Sequence, residues 1–339
     1  GFGNNTQRRM LAQVSGSQEP DIVVFGADGV YIAQNDGNGQ FTVLCNGDPC
    51  VEDYSPAQGY TDFGNNPRYL SDMTGDGLAD IVAFSDDGVI IAVSAQVSFI
   101  DPSPGEFAIR RFGPNSGGWT TEAPRIILDV NGDGFDDIVG FGFSQTAYAR
   151  ARPDRDPTLY SNTETYDGLF TQNGGWDTAN NIRTSADING DGLEDVVAYA
   201  DDSVLVSYAR DIDIVPNGAL TGPANLQTLS DEFGLNDGWQ LPDDQRYLAD
   251  VNGDGFLDLV GFGPSLESAM GGVSYALNLG DGGDFGVTRE WLPEFSFARG
   301  YTFRDNPRFM GDVNGDGRSD IIVFDDNTVE VVFALSASE

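Results

Sequence analysis

Aspartate, asparagine and glycine recur in this chain in one fixed order. In Asp129-Val-Asn131-Gly-Asp133-Gly-Phe135-Asp-Asp137, side-chain oxygens fall at positions 1, 3, 5 and 9, and position 7 can offer a backbone carbonyl. Glycine at 4 and 6 lets the chain curl about one centre, where a β-carbon would obstruct the turn. Such a loop supplies hard oxygen donors and neither thiolate nor imidazole, which suits Ca2+ far better than zinc or copper, while Mg2+ prefers to keep more of its water. Three carboxylates held within about 5 Å of one another repel by roughly 3 kcal/mol per pair at an effective dielectric near 20, so an ion would tighten the loop. The plainer alternative is an Asx-type turn that holds no ion.

The arrangement occurs five times. The oxygen sets are Asp72, Thr74, Asp76, Leu78 and Asp80; Asp129, Asn131, Asp133, Phe135 and Asp137; Asp187, Asn189, Asp191, Leu193 and Asp195; Asp250, Asn252, Asp254, Phe256 and Asp258; and Asp312, Asn314, Asp316, Arg318 and Asp320. About five calcium ions are therefore expected. The set at Asp72 should be the weakest, because the Thr74 hydroxyl replaces an amide oxygen. A decayed copy runs from Gln13 to Asp21, with Ser15 and Ser17 at the inner positions. From 13 to 72, 129, 187, 250 and 312 the steps are 59, 57, 58, 63 and 62 residues, so six repeats fill the chain.

Each loop must be positioned by the strands around it. A short strand such as Arg68-Tyr-Leu-Ser leads in, and a continuous apolar run such as Asp80-Ile-Val-Ala-Phe leads out. An alternating strand, Gly88-Val-Ile-Ile-Ala-Val, follows, and a fourth is expected to end on Phe-Gly, as in Phe107 to Gly113. Helical periodicity is absent. Four antiparallel strands per repeat of this length predict an all-β fold: a β-propeller of four-stranded blades, six by repeat count, in one domain over residues 1–339. The last repeat ends after its third strand, so ring closure and a seven-bladed ring stay open. Longer insertions fall at residues 150–166, 210–229 and 264–272.

By chain order the calcium loop and the link between blades lie at opposite ends of a blade, which predicts a structural role for the ion. Those links carry their own motif: Phe112 to Trp119, Phe170 to Trp176 and Phe233 to Trp239, each with glycine before the tryptophan. Arg68, Arg125, Arg183, Arg246 and Arg308 stand four residues before the first loop position, as does Arg9 in the decayed repeat. One reading packs each Trp between blades and pairs each Arg with a nearby Asp. The other makes Trp119, Trp176, Trp239, Arg68, Arg125, Arg183, Arg246 and Arg308 the walls of shallow pockets, with aromatic faces for the C–H face of a sugar and guanidinium donors for its hydroxyl, acetamido or carboxylate groups.

The 339 residues include 54 acidic and 17 basic ones, no histidine, and a net charge of −37. Every basic residue is arginine. That surface repels nucleic acid and anionic membrane and favours a soluble monomer. No apolar run is long enough to span a membrane. Cys45 and Cys50 bracket Asn-Gly-Asp-Pro, a turn that allows a small disulfide loop in a secreted chain; free thiols would suit a cytosolic one. The opening Gly1-Phe2-Gly3 reads as a trimmed start, and Asn4-Asn5-Thr6 is a glycosylation sequon.

Residues Phe233 to Gly263, and next Phe112 to Gly142, carry Phe-Gly, Gly-Trp, Arg, and then Asp-Gly-x-x-Asp before an apolar strand. This pattern resembles the repeats of the Psathyrella velutina lectin family and, more broadly, the FG-GAP/VCBS repeats of integrin α-subunit propellers. The lectin resemblance implies a secreted propeller that binds N-acetylglucosamine or sialic-acid glycans and glycoproteins between blades. Two features depart from it: the lectin repeats carry His two residues before the Arg, where this chain has Asn66, Ala123, Asn181, Asp244 and Asn306, and they number seven rather than six. The expectation is a calcium-stabilised lectin without catalysis. An integrin-like adhesion propeller is the alternative. A polysaccharide lyase is the third reading; with neither His nor Lys, its general base would have to be a Tyr, Arg or carboxylate.

Overall fold

A computed structural model describes residues 7–103, 105–151, 160, 164–210, 226–264, 271–280, 284–325 and 328–334. The sequon at Asn4, the opening glycine and most of the three insertions lie outside them. The fold is all-β and of propeller type, with six antiparallel blades joined by turns and short 3-10 pieces. The chain divides into two compact units, Thr6–Thr178 and Ala179–Ala209 with Ala224–Glu339 being their main parts.

In the first unit, blade 1 is β1 (Arg8–Ala12), β2 (Asp21–Phe25), β3 (Val30–Asn35) and β4 (Phe41–Val43). Blade 2 is β5 (Arg68–Ser71), β6 (Asp80–Ser85), β7 (Gly88–Ser94) and β8 (Phe99–Ile100), and blade 3 is β9 (Arg125–Leu128), β10 (Asp137–Phe141), β11 (Gln145–Ala149) and β12 (Glu164–Asp167). In the second unit, blade 4 is β13 (Arg183–Ala186), β14 (Asp195–Tyr199), β15 (Val204–Ser207) and β16 (Gln227–Ser230). Blade 5 is β17 (Gln245–Ala249), β18 (Asp258–Gly263), β19 (Gly272–Ala276) and β20 (Arg289–Leu292), and blade 6 is β21 (Arg308–Gly311), β22 (Asp320–Phe324) and β23 (Val329–Val332). Among the described residues blade 6 has three strands.

The second strand of every blade is buried along its whole length, apart from the last residue of β6. That explains why these segments read as unbroken apolar runs: both faces pack, so no polar alternation survives. Fourth strands are short and more exposed. In blade 2 the expected strand Phe107–Gly113 is split instead. β8 pairs with Val93 and Ser94, and after a detour through Pro102 the segment at Ala108–Ile109 returns to bond Val89. Blade 1 is split likewise. Leu44 bonds Ile32, residues 45–49 loop out, and Cys50 and Val51 return to Val30. The Cys45–Cys50 disulfide closes the neck of that loop.

Links between blades share one elbow. Tyr54, Phe112, Phe170, Phe233 and Phe295 all adopt left-handed backbone, φ between 47° and 65°. Bulky side chains rarely accept that region without a compensating contact. The compensation is the arginine: Nη1 of Arg68, Arg125, Arg246 and Arg308 donates to the carbonyl of Tyr54, Phe112, Phe233 and Phe295 at 2.7, 3.4, 2.8 and 2.7 Å. The elbow aromatic then packs on the next ring of its link. The pairs are Tyr54–Tyr60, Phe112–Trp119, Phe170–Trp176, Phe233–Trp239 and Phe295–Tyr301, with centroids 4.7 to 5.6 Å apart.

Trp119 and Trp239 reach further and lie over glycines of the following blade. A β-carbon at Gly261 would overlap the Trp239 ring, and one at Gly140 would stand 2.5 Å from Trp119. Gly261→Ala is therefore expected to cost about 1–3 kcal/mol by overpacking, read as a lowered urea midpoint with an unchanged slope. A midpoint equal to wild type would show that the indole has room to move.

Candidate functional site

Two places in each blade gather polar side chains, at opposite ends of the sheet. The loop between first and second strands is one. Its position-1 aspartate turns inward: Asp129 Oδ1 accepts from the Gly132 and Asp133 amides at 2.7 and 3.2 Å, and Oδ2 accepts from Gly134 at 2.8 Å. Asp187 and Asp312 repeat all three bonds, and Asp72 does so with Thr74 at position 3. Asp250 keeps those to Gly253 and Gly255. Asn131, Asn189, Asn252 and Asn314 each accept from the position-5 amide and donate back to the same aspartate's side chain.

The position-9 aspartate is the buried member. Asp80, Asp137, Asp195, Asp258 and Asp320 have no exposed surface. One oxygen accepts from an amide at or just beyond the end of the third strand: Ser94, Ala151, Ala209, Asn278 or Ala334, at 2.7–2.8 Å. The other accepts from the position-2 amide in four of the five, whereas Asp137 Oδ2 is buried without a partner. In the decayed repeat Asp21 does the same work, bonding Val14, Ser15 and Asn35, and adds the Ser17 hydroxyl.

Burial lifts these carboxyls, and the charges at positions 5 and 1 push them further. Asp80 and Asp320 rise to about 6, Asp195 and Asp258 to about 7, and Asp137 to about 8. The donor set is all oxygen and its charges interact, which fits a hard cation in kind. Among the described residues, however, no three acidic side chains converge into a metal-holding group. The loops close on their own amides.

The other place is the notch beside each link, where the turn after the second strand meets the chain before the arginine. Here the sites proposed from sequence divide. Arg68, Arg125 and Arg308 are fully buried, and Arg183 and Arg246 nearly so. Arg68, Arg125, Arg246 and Arg308 bond carbonyl and amide oxygens, not the carboxylates of the first sequence reading. Arg125 Nη2 bonds Gly64 O at 2.6 Å, and Arg308 bonds Asp243 O at 2.7 Å and Gln245 Oε1 at 3.0 Å. Arg68, Arg125, Arg246 and Arg308 also lie over a second-strand ring of the preceding blade: Phe25, Phe84, Tyr199 and Phe262, at 5.1–5.6 Å. Burial depresses the Arg68 and Arg125 guanidinium pKa to about 10. Trp119 and Trp239 are buried as well, whereas Trp176 is half-buried.

The polar side chains that frame the notch went unread in the sequence, and they alternate. In blades 2, 4 and 6 the residue two before the arginine is asparagine, and its Nδ2 donates to a turn aspartate: Asn66 to Asp86 at 3.0 Å, Asn181 to Asp201 at 3.5 Å, Asn306 to Asp325 at 3.3 Å. In blades 2 and 4 a link asparagine adds to the group. Asn115 bonds Asp86 O and Asp87 Oδ1, and Asn236 bonds Asp201 O and Asp202 Oδ1. Blades 3 and 5 instead place Gly142-Phe143 and Gly263-Pro264 at that turn, and Phe143 is 67% exposed. The signal was legible: the aromatic residue of the second strand is followed by Asp-Asp within three residues in blades 2, 4 and 6, and directly by glycine in 1, 3 and 5.

Residues 250–323 match the FG-GAP-like repeat family. No curated protein matches the chain. Among solved structures, an Agrocybe aegerita lectin described as recognising non-reducing terminal N-acetylglucosamine is 28% identical, with a TM-score of 0.73 over 98% of this chain and 82% of that one. A Tc holotoxin of Photorhabdus luminescens is 16% identical, with a TM-score of 0.58 over 97% of this chain and 14% of that one, a likeness of fold alone. A rhamnogalacturonan lyase of Bacillus licheniformis is 13% identical over 99% of this chain and 58% of that one, and its TM-score of 0.36 carries no argument.

In the metal-free chain the five position-9 carboxyls bind protons more tightly when folded than the ordinary aspartate does. Their contribution to stability is therefore complete below about pH 4 and is lost as pH rises through about 6 to 8. In EDTA the urea midpoint should fall between about pH 5 and 8, and Asp137→Asn should flatten part of that slope. A midpoint that rises over this window contradicts the arrangement.

Proposed function

We propose that the chain is a non-catalytic glycan-binding propeller whose ligands are terminal N-acetylglucosamine or sialic-acid sugars of glycans and glycoproteins. The observation that carries this reading is the likeness to the Agrocybe aegerita lectin over nearly the whole chain, at 28% identity. The notches supply matching chemistry, with exposed amide and carboxylate groups of Asn115, Asp86 and Asp87 for sugar hydroxyls at one link and the half-buried ring of Trp176 at the next. On this reading Arg68, Arg125, Arg183, Arg246 and Arg308, with Trp119 and Trp239, position the notch from behind. Several weak sites on one chain would gain avidity on a glycan-coated surface. The disulfide is compatible with an extracellular, secreted protein, and among the described residues no helix is long and apolar enough to cross a membrane.

We further propose that the five loops bind Ca2+ through positions 1, 3, 5, 7 and 9, where the ion would neutralise charges that otherwise oppose one another and so hold the blade rather than touch the sugar. A glycan array run with calcium and with EDTA tests both statements. The lectin reading expects binding to N-acetylglucosamine or sialylated glycans in calcium, and silence across the whole array sinks it. The structural reading of calcium expects EDTA to lower the melting temperature. Bound ligand stabilises by about 2.7 kcal/mol at 100 times its dissociation constant. Melting that ignores EDTA would leave the loops as plain turns.

A further inference from the structure

Four of the five loops carry an Asn-Gly step and all five carry an Asp-Gly step. These dipeptides are chemically fragile, because the unhindered glycine nitrogen can attack the side-chain carbonyl before it. At asparagine the glycine N–Cγ bond forms, the Cγ–Nδ2 bond breaks, and the side-chain nitrogen leaves as ammonia carrying the glycine proton. Water then opens the succinimide to aspartate or isoaspartate. An isoaspartate adds a backbone methylene and would break the loop.

We propose that the position-1 aspartate of each loop is a guard against this reaction, and that the loop asparagines are latent deamidation sites released when the guard is lost. The attacking nitrogens are those it holds. Oδ1 accepts from Gly132, Gly190, Gly253 and Gly315, the glycines of the Asn-Gly steps, at 2.7–2.8 Å. Oδ2 accepts from Gly134, Gly192, Gly255 and Gly317, the glycines of the Asp-Gly steps, at 2.7–2.9 Å. An anionic acceptor opposes loss of the amide proton, the step that makes the nitrogen nucleophilic. The electrophile is held too. Asn131 Oδ1 accepts from Asp133 N at 2.9 Å while its Nδ2 donates to Asp133 Oδ2 at 3.1 Å, fixing the amide away from attack.

Among the described residues outside the loops, the same dipeptide lacks this protection. The Gly47 and Gly174 amides meet only neutral carbonyls, Leu44 O at 3.2 Å and Thr171 O at 3.0 Å. Asn38, Asn46 and Asn173 are exposed.

Peptide mapping by mass spectrometry of the whole chain, aged in EDTA at mildly alkaline pH, decides the matter. Asn38, Asn46 and Asn173 are expected to deamidate first, at least about tenfold faster than Asn131, Asn189, Asn252 and Asn314. In Asp129→Ala, Asn131 should join the fast group while the other three loops stay intact in the same molecules, which separates a lost guard from general unfolding. If that variant unfolds and all four loops age together, the native chain is compared with the chain in urea: slower ageing of the loops in the native chain supports the guard, and equal rates overturn it. Loop asparagines that age as fast as Asn46 in the folded chain, or an Asn131 that stays intact in a folded Asp129→Ala, also overturn it.

Discussion

A carboxylate that has left water must find donors, and in this chain that demand falls at one place in every blade. The aspartate opening each second strand has no exposed surface, so its oxygens are fixed by amides at the start of the loop and at the end of the third strand. Three segments that are distant in sequence are thereby set at one point. Losing one such bond would leave a buried donor or acceptor unsatisfied, a penalty of about 1–3 kcal/mol. The decayed repeat shows the hierarchy. Its inner oxygens became Ser15 and Ser17, yet Asp21 remains and keeps the same contacts.

The far end of each blade is organised by a second buried charge. The guanidiniums of Arg68, Arg125, Arg246 and Arg308 are stripped of water and rest over aromatic rings. Each donates to a carbonyl that a left-handed elbow turns toward it, while Nε of Arg68, Arg125 and Arg246 is buried without a partner. Elbow and arginine need each other, because neither the strained backbone nor the buried cation is stable alone. This contact accounts for the arginine in the four links that show it, and spacing alone could not distinguish it from a ligand-facing residue.

The repeat, the strand pattern and the blade count were legible because a nine-residue signature and fully buried second strands leave few alternatives. Residues 107–113 misled because the aromatic and alternating pattern of a fourth strand survives even where Pro102 and a detour break its pairing into two pieces. The notch was legible only in part. The Trp–Gly packing of Trp239 on Gly261 joins residues far apart in sequence, and a glycine that makes room looks like any other until the ring above it is placed. The Asn-to-Asp bonds across the notch were hidden for the same reason, since Asn66 and Asp86 lie on different strands' ends.

The fit of ring to glycine has a consequence for how such a chain can be rearranged. Two of the three tryptophan links, those of Trp119 and Trp239, feed into a blade whose second strand carries paired glycines, Gly140 with Gly142 or Gly261 with Gly263. Blades 2 and 4 carry Ala83 with Ser85 and Ala198 with Ala200 at those positions and offer no such berth. The third ring, Trp176, precedes blade 4 and stays half-buried. Moving blade 3 or 5 without the link before it would part an indole from its berth, so such a blade travels intact only with the link that precedes it.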